Sequence, residues 1–346
     1  MRVGMEMLGG VLGDAWGAAK DAMGGAFGAA SAAPASAPVE VPAPAPVPTP
    51  QVPASQPVAD ADALKDALGH YVDGLPEKHV GMGDVHMAEA RDLEVEKFKE
   101  SHPGATPYDV NAFKVGQHYD WADEPPPPTT PLGDMSTPEA RLKALNRLTQ
   151  NEADAPGIDG GGAQPFDAKD GSRCGPSSLI AGALVAVGPE GLNAVIDNMK
   201  AHGLDPKGAD GMMTDMLQKK IHDGKPLTYG DIQDLQLSLY NTMKNEEKAA
   251  NPDDGKIGGI RDTTVRSFLS SSPELAGMYK KNGMGIGFVD TDGDGKPNHF
   301  VLEMRQGGKI DGIYDPWKRN GGQVVTQDWA LEEYNQAQKE WIGPNG

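Results

Sequence analysis

Three residues of this 346-residue chain have the types and the order that nucleophilic attack on a carbonyl requires. Cys174, the single cysteine, stands in Gly171-Ser172-Arg173-Cys174-Gly175-Pro176-Ser177-Ser178, ahead of the apolar positions Leu179, Ile180, Leu184, Val185 and Val187. His299 opens the run His299-Phe300-Val301-Leu302, and Asp315 follows in Ile313-Tyr314-Asp315-Pro316-Trp317. A thiol attacks as the thiolate, and both a helix N-terminus and a neighbouring imidazolium favour that form. The imidazole accepts the thiol proton, and a carboxylate holds the imidazole in the right tautomer. Cys174 is therefore expected as the nucleophile, His299 as the base and Asp315 as the orienting carboxylate, with Asp311 as its competitor. The other histidines sit among polar or loop neighbours and are assigned none of this chemistry.

The elements that must position these residues follow from periodicity and caps. Ser136-Thr137-Pro138-Glu139 starts a helix carrying Leu142, Leu145 and Leu148. The helix that begins at Cys174 and runs to Val187 is apolar on most sides, hence buried. Amphipathic helices follow over residues 189–202, 209–222 and 228–248, the last with a capping box between Thr228 and Asp231. Residues 261–281 read as one or two more. The period then changes to that of strands over 285–289, 299–304, 309–314 and 323–326, and residues 329–341 read as a closing helix. A run of helices followed by a run of strands predicts an α+β domain, helices packed on an antiparallel sheet.

Cys-Gly-Pro followed by small and apolar residues, His-Phe-Val-Leu, and Asp-Pro sixteen positions after the histidine together resemble a family. They are similar to the peptidase domains of bacteriocin ABC exporters and the stand-alone papain-like cysteine peptidases related to them. The resemblance spans residues 164–326 and rests on three short motifs. It implies a papain-like fold, with a helical subdomain that carries the nucleophile packed on the sheet. It also implies catalysis by Cys174, His299 and Asp315 on a peptide or protein substrate, with no cofactor required. The family carries a glutamine about six residues before the cysteine that helps form the oxyanion hole. Position 168 is Ala here, so Gln164 is the candidate donor beside the backbone N–H of Cys174. The spacing from Cys174 to His299 is also longer than the family's. The same triad serves glutamine deamidation or acyl transfer, and a non-catalytic interaction protein on this scaffold stays open because position 168 lacks its glutamine.

Asp290-Thr291-Asp292-Gly293-Asp294-Gly295-Lys296-Pro297-Asn298 places carboxylates at alternate positions, like the first half of an EF-hand loop. The twelfth position is Val301, so the bidentate acid is missing. Two readings stand: a structural Ca²⁺ on Asp290, Asp292 and Asp294, or a polar turn between two strands.

Composition bounds the partners. A net charge of −19 argues against nucleic acid as a partner, because its phosphates need clustered Lys and Arg. One cysteine permits no intrachain disulfide. No apolar run reaches the length of about 18 residues that a membrane span needs. The first thirty residues are rich in Gly and Ala and lack the basic start and unbroken apolar stretch of a cleavable signal peptide. Residues 31–57 are Pro, Ala and Val, a polyproline II tether. Residues 1–57 are thus expected to be disordered, available to a delivery or secretion machinery, as in a bacterial effector. The compartment stays open between the cytoplasm before export and the cell exterior. Residues 58–135 are expected as a loosely structured accessory region with short helices over 60–72 and 89–100, and residues 136–346 as the catalytic domain.

Overall fold

Where the chain offers a cap, a helix begins. Thr228 and Asp231 exchange hydrogen bonds, the Thr228 N–H donating to Asp231 Oδ2 at 2.6 Å and the Asp231 N–H to Thr228 Oγ1 at 3.3 Å. Thr106 and Asp109 do the same at 3.0 and 3.1 Å. The Ser272 hydroxyl accepts from the Leu275 N–H ahead of a proline at the first helical turn. A computed structural model describes residues 61–73, 84–118, 127–145, 148, 173–250, 260–316, 323–325 and 328–344, all within the unit Pro53–Gly346. The helices are α1 (Ala61–Asp73), α2 (Asp84–Ser101), α3 (Pro107–His118), α4 (Pro138–Leu145), α5 (Cys174–Val187), α6 (Gly191–Ala201), α7 (Ala209–His222), α8 (Tyr229–Ala250), α9 (Asp262–Ser271) and α10 (Pro273–Lys281). The strands β1 (Met284–Val289), β2 (His299–Gln306), β3 (Lys309–Asp315) and β4 (Gln323–Val325) follow, then α11 (Asp328–Ala337) and β5 (Gln338–Ile342). The protein is α+β, its strands forming one antiparallel sheet in the order β4-β3-β2-β1-β5.

Alternation along the strands builds a core on each face of this sheet. Phe300, Leu302 and Met304 of β2, with Ile286 and Tyr314, join the larger cluster around α5, while Val301, Val289, Ile313 and Val325 join a second one. That second cluster is closed by Tyr108 of α3 and by Ala330, Leu331 and Tyr334 of α11. Helix α5 is buried from Cys174 to Ala186, as an apolar helix without a polar stripe must be. It lies against β2, where Ser178 Oγ donates to the Phe300 carbonyl at 3.3 Å. Its far end is tied down by the buried Arg141, whose guanidinium donates to the Met135 and Val185 carbonyls at 2.8 and 3.2 Å. A cation there also offsets the negative end of the helix dipole.

Gly182 lets α10 approach α5. A Cβ at this position would overlap the hydroxyl of Tyr279, which donates to the Leu179 carbonyl at 3.0 Å. Alanine is the better helix former by about 1 kcal/mol. The displaced tyrosine outweighs that gain, and Gly182→Ala is expected to destabilise the protein by about 1–3 kcal/mol net. Urea unfolding measures this, and a midpoint at or above that of the parent would refute the close approach.

The C-terminal segment differs from the single helix expected over 329–341. Helix α11 stops at Ala337, and Gln338–Ile342 pairs with β1 as β5. The reason is the open edge of β1, whose N–H and C=O groups need partners. Ile342 is buried, and the Trp341 indole lies over Gly285, where a Cβ would overlap it. Described residues of the stretch expected as a loose accessory region also pack into the main body. Leu64, Ala67, Leu68, Leu132 and Met135 belong to the larger cluster, Tyr108 to the second, and the Leu132 N–H donates to the Leu227 carbonyl at 2.8 Å. Residues 1–57, expected as disordered start and tether, lie outside the described residues. No helix among the described residues is long and apolar enough to cross a membrane.

Candidate active site

Cys174 is the first residue of α5, where the first turn of a helix presents N–H groups without intrahelical acceptors and partial positive charge. His299 is the first residue of β2 and Asp315 the last of β3. Antiparallel pairing sets the start of one strand beside the end of the next, so two residues sixteen apart meet across the sheet. His299 Nε2 lies 2.9 Å from Asp315 Oδ1. With Nε2 committed to the carboxylate, Nδ1 is the ring nitrogen left to serve the thiol, and the Cys174 side chain is close enough to the imidazole to act on its charge. All three expected residues are brought together, and all are buried, with exposures of 2%, 0% and 0%.

Charge follows from this geometry. Burial alone would push the His299 imidazole down, but the Asp315 carboxylate and then the Cys174 side chain outweigh it and raise the group to about 9. At neutral pH the imidazolium therefore stands between a carboxylate and the sulfur, which is the setting that holds a thiol as thiolate.

The second oxygen of Asp315 is also engaged. Tyr108 Oη donates to Oδ2 at 2.6 Å and Tyr334 Oη at 3.1 Å, and the two rings meet edge to face with centroids 5.0 Å apart. Burial first, then the nearby Asp315 charge, push both phenols well above their ordinary range, so they remain O–H donors. Neither tyrosine was anticipated as part of the site. The signal for α3 was legible, since Thr106-Pro107-Tyr108-Asp109 has the same cap-proline-acid form as the start of α4. Asp311, the competing orienter, lines a depression with Leu64, Leu68 and Gln306 near the β2–β3 turn, away from His299. Gln164 lies outside the described residues.

The Asp-rich segment is the turn from β1 into β2. Oxygens of Asp290, Asp292 and Asp294 lie within 4.8 Å of one another and could hold a cation. The turn also accounts for itself: Asp290 accepts from the Gly293 and Gly295 N–H groups at 2.7 and 2.8 Å, and both glycines have positive φ, 76° and 88°. Asn298 Oδ1 accepts from the Thr291 N–H and hydroxyl at 3.1 and 2.8 Å. The segment thereby sets the register that places His299 opposite Val289.

A second His-centred cluster joins His202 Nδ1 to Glu246 Oε2 at 2.9 Å and Nε2 to Ser271 Oγ at 2.7 Å. Ser271 is the last residue of α9, at the negative end of the helix dipole, where an alkoxide is disfavoured. Its hydroxyl is also bonded to the Phe268 carbonyl and Asn198 Oδ1. The cluster straps α6, α8 and α9 together.

Comparisons with family models, with curated proteins and with solved structures find no match for this chain.

Proposed function

We propose that the chain is a cysteine hydrolase of amide bonds, peptide bonds first among them, built on a papain-like arrangement of a nucleophile helix against a sheet that bears base and orienter. The observation that carries this reading is the buried convergence of the three residues, His299 Nε2 on the Asp315 carboxylate and the Cys174 side chain beside the same imidazole. In it the Cys174 thiolate attacks the carbonyl carbon, and the developing oxyanion meets the N–H of Cys174 at the helix start. The His299 imidazolium gives its proton to the leaving amine as the C–N bond breaks, leaving a thioester. Water, deprotonated by His299, then attacks the thioester, and the C–S bond breaks to release the acid and restore the pair. Asp315 keeps the imidazole oriented throughout and stays ionised.

A non-catalytic scaffold is the second reading, and the 2% exposure of Cys174 favours it. Two measurements separate the readings. The rate of Cys174 alkylation by iodoacetamide should stay high well below the ordinary thiol range if the thiolate–imidazolium pair exists, and follow a free thiol if it does not. A peptide library analysed by mass spectrometry then resolves the reaction. New termini indicate a peptidase, conversion of Gln to Glu a deamidase, and an adduct on a second amine a transferase. A library left unchanged at every pH at which Cys174 is activated would leave the scaffold.

A further inference from the structure

A carboxylate buried to 0% exposure needs donors for both of its oxygens, because water cannot supply them. At Asp315 one oxygen faces His299, and the other accepts two phenols that arrive from different parts of the chain. Tyr108 comes on α3, before the nucleophile in sequence, and Tyr334 on α11, after the base and orienter. Both rings belong to the cluster on the face of the sheet opposite α5, so packing restrains their hydroxyls. The Tyr108 ring also stands edge-on to His299, with centroids 6.2 Å apart. The titratable groups that face Asp315 are His299 of β2, Tyr108 of α3, Tyr334 of α11 and its own neighbour Tyr314, whose hydroxyl is directed to the Leu148 carbonyl.

We propose that Tyr108 and Tyr334 are positioning residues of the triad: their hydroxyls hold Oδ2 of Asp315, which keeps the carboxylate ionised in a dry site and keeps Oδ1 on His299 Nε2. The inference rests on reading Cys174, His299 and Asp315 as a triad and adds two members that touch neither substrate nor thiol. Hydrogen bonds donated to a carboxylate favour its charged form. Removing a hydroxyl therefore lets Asp315 take up a proton at higher pH. Once protonated, it no longer balances the imidazolium, and the thiolate is lost with it.

The test follows Cys174 alkylation by iodoacetamide from pH 4 to 10 in the full chain, for the parent and for Tyr108→Phe, Tyr334→Phe and the double variant. Each single variant should move the acid inflection up by about one pH unit, the scale of one charge-assisted hydrogen bond, and the double variant further. Where a peptide substrate has been found, kcat should fall about tenfold per hydroxyl with KM little changed. Tyr279→Phe is the control, since it removes an equally buried hydroxyl that reaches only carbonyls of α5. It should lower stability and leave the inflection in place. Inflections in Tyr108→Phe and Tyr334→Phe that move no more than in Tyr279→Phe would overturn the positioning role while leaving the triad intact. A parent protein that labels as an ordinary thiol would overturn the triad, and the positioning role with it.

Discussion

Cys174→Ala and His299→Ala should each lower turnover by about 10⁶-fold, the scale expected when a nucleophile or its base is removed from a relay of this kind. The double variant should be no slower than either single one. The reason lies in how the parts depend on each other: a thiol without its base is not a thiolate, and an imidazole without the thiol has no nucleophile to activate. Asp315→Asn should retain more activity than either, falling by about 10⁴-fold, because an amide keeps the hydrogen bond but permits the wrong tautomer of His299. Full rates with the released amine as readout would be compared at matched pH. Losses in the two single variants that multiply in the double variant would mean that Cys174 and His299 act separately, and retention of activity by Cys174→Ala would end the mechanism.

The second large effect is on stability. Asp315→Ala removes the charge that balances a buried imidazolium and strands two buried phenol donors. Breaking a buried pair on one side is expected to destabilise the fold by about 3–5 kcal/mol. The pH dependence has a defined sign. His299 is raised from 6.5 to about 9 on folding, so the folded state binds its proton more tightly than the unfolded chain does. The stability this contributes is complete below about 6.5 and is lost as pH rises through about 9. Denaturant unfolding should therefore show declining stability across that window in a Cys174→Ala background, where no thiolate ionisation offsets the imidazolium. When Asp315→Asn is added to that background, burial acts on the imidazole without a facing charge, and the decline should vanish. The same slope in both proteins would show that Asp315 does not hold the His299 proton.

Much of this architecture was legible because local chemistry and final structure agree. The capping box of Thr228 and Asp231, the apolar run after Cys174 and the period-two pattern around His299 each mark an element that forms where expected. Cys174, His299 and Asp315 could be selected from residue type and order, since each stands at the end of its element. What was hidden depends on contacts that no window of sequence contains. Tyr108 looks like an ordinary aromatic in a weakly periodic stretch, and its role appears only through a partner 207 positions away. Residues 338–342 follow a helical pattern closely enough to read as its continuation. They become a strand because β1 has an edge to fill. Gln164 stands out by its type and its place ten residues before Cys174, without an element in the sequence pattern to position it.

The wiring of Asp315 has a consequence for the life of the chain before it is folded. Helices that precede β1 can form while the chain is still emerging from a ribosome, and α5 with its thiol is among them. At that stage β2, β3 and α11 do not exist, so no imidazole, carboxylate or Tyr334 hydroxyl is there to act on Cys174. Closing contacts over 207 positions is also a late and slow event, because distant pairings must overcome loop entropy before they are rewarded. A nascent chain thus carries a common thiol, and on the proposed function its reactivity would arrive only with the completed fold. If the chain is the hydrolase proposed above, it is its own timer: the maker would be spared the activity for as long as the product is unfinished.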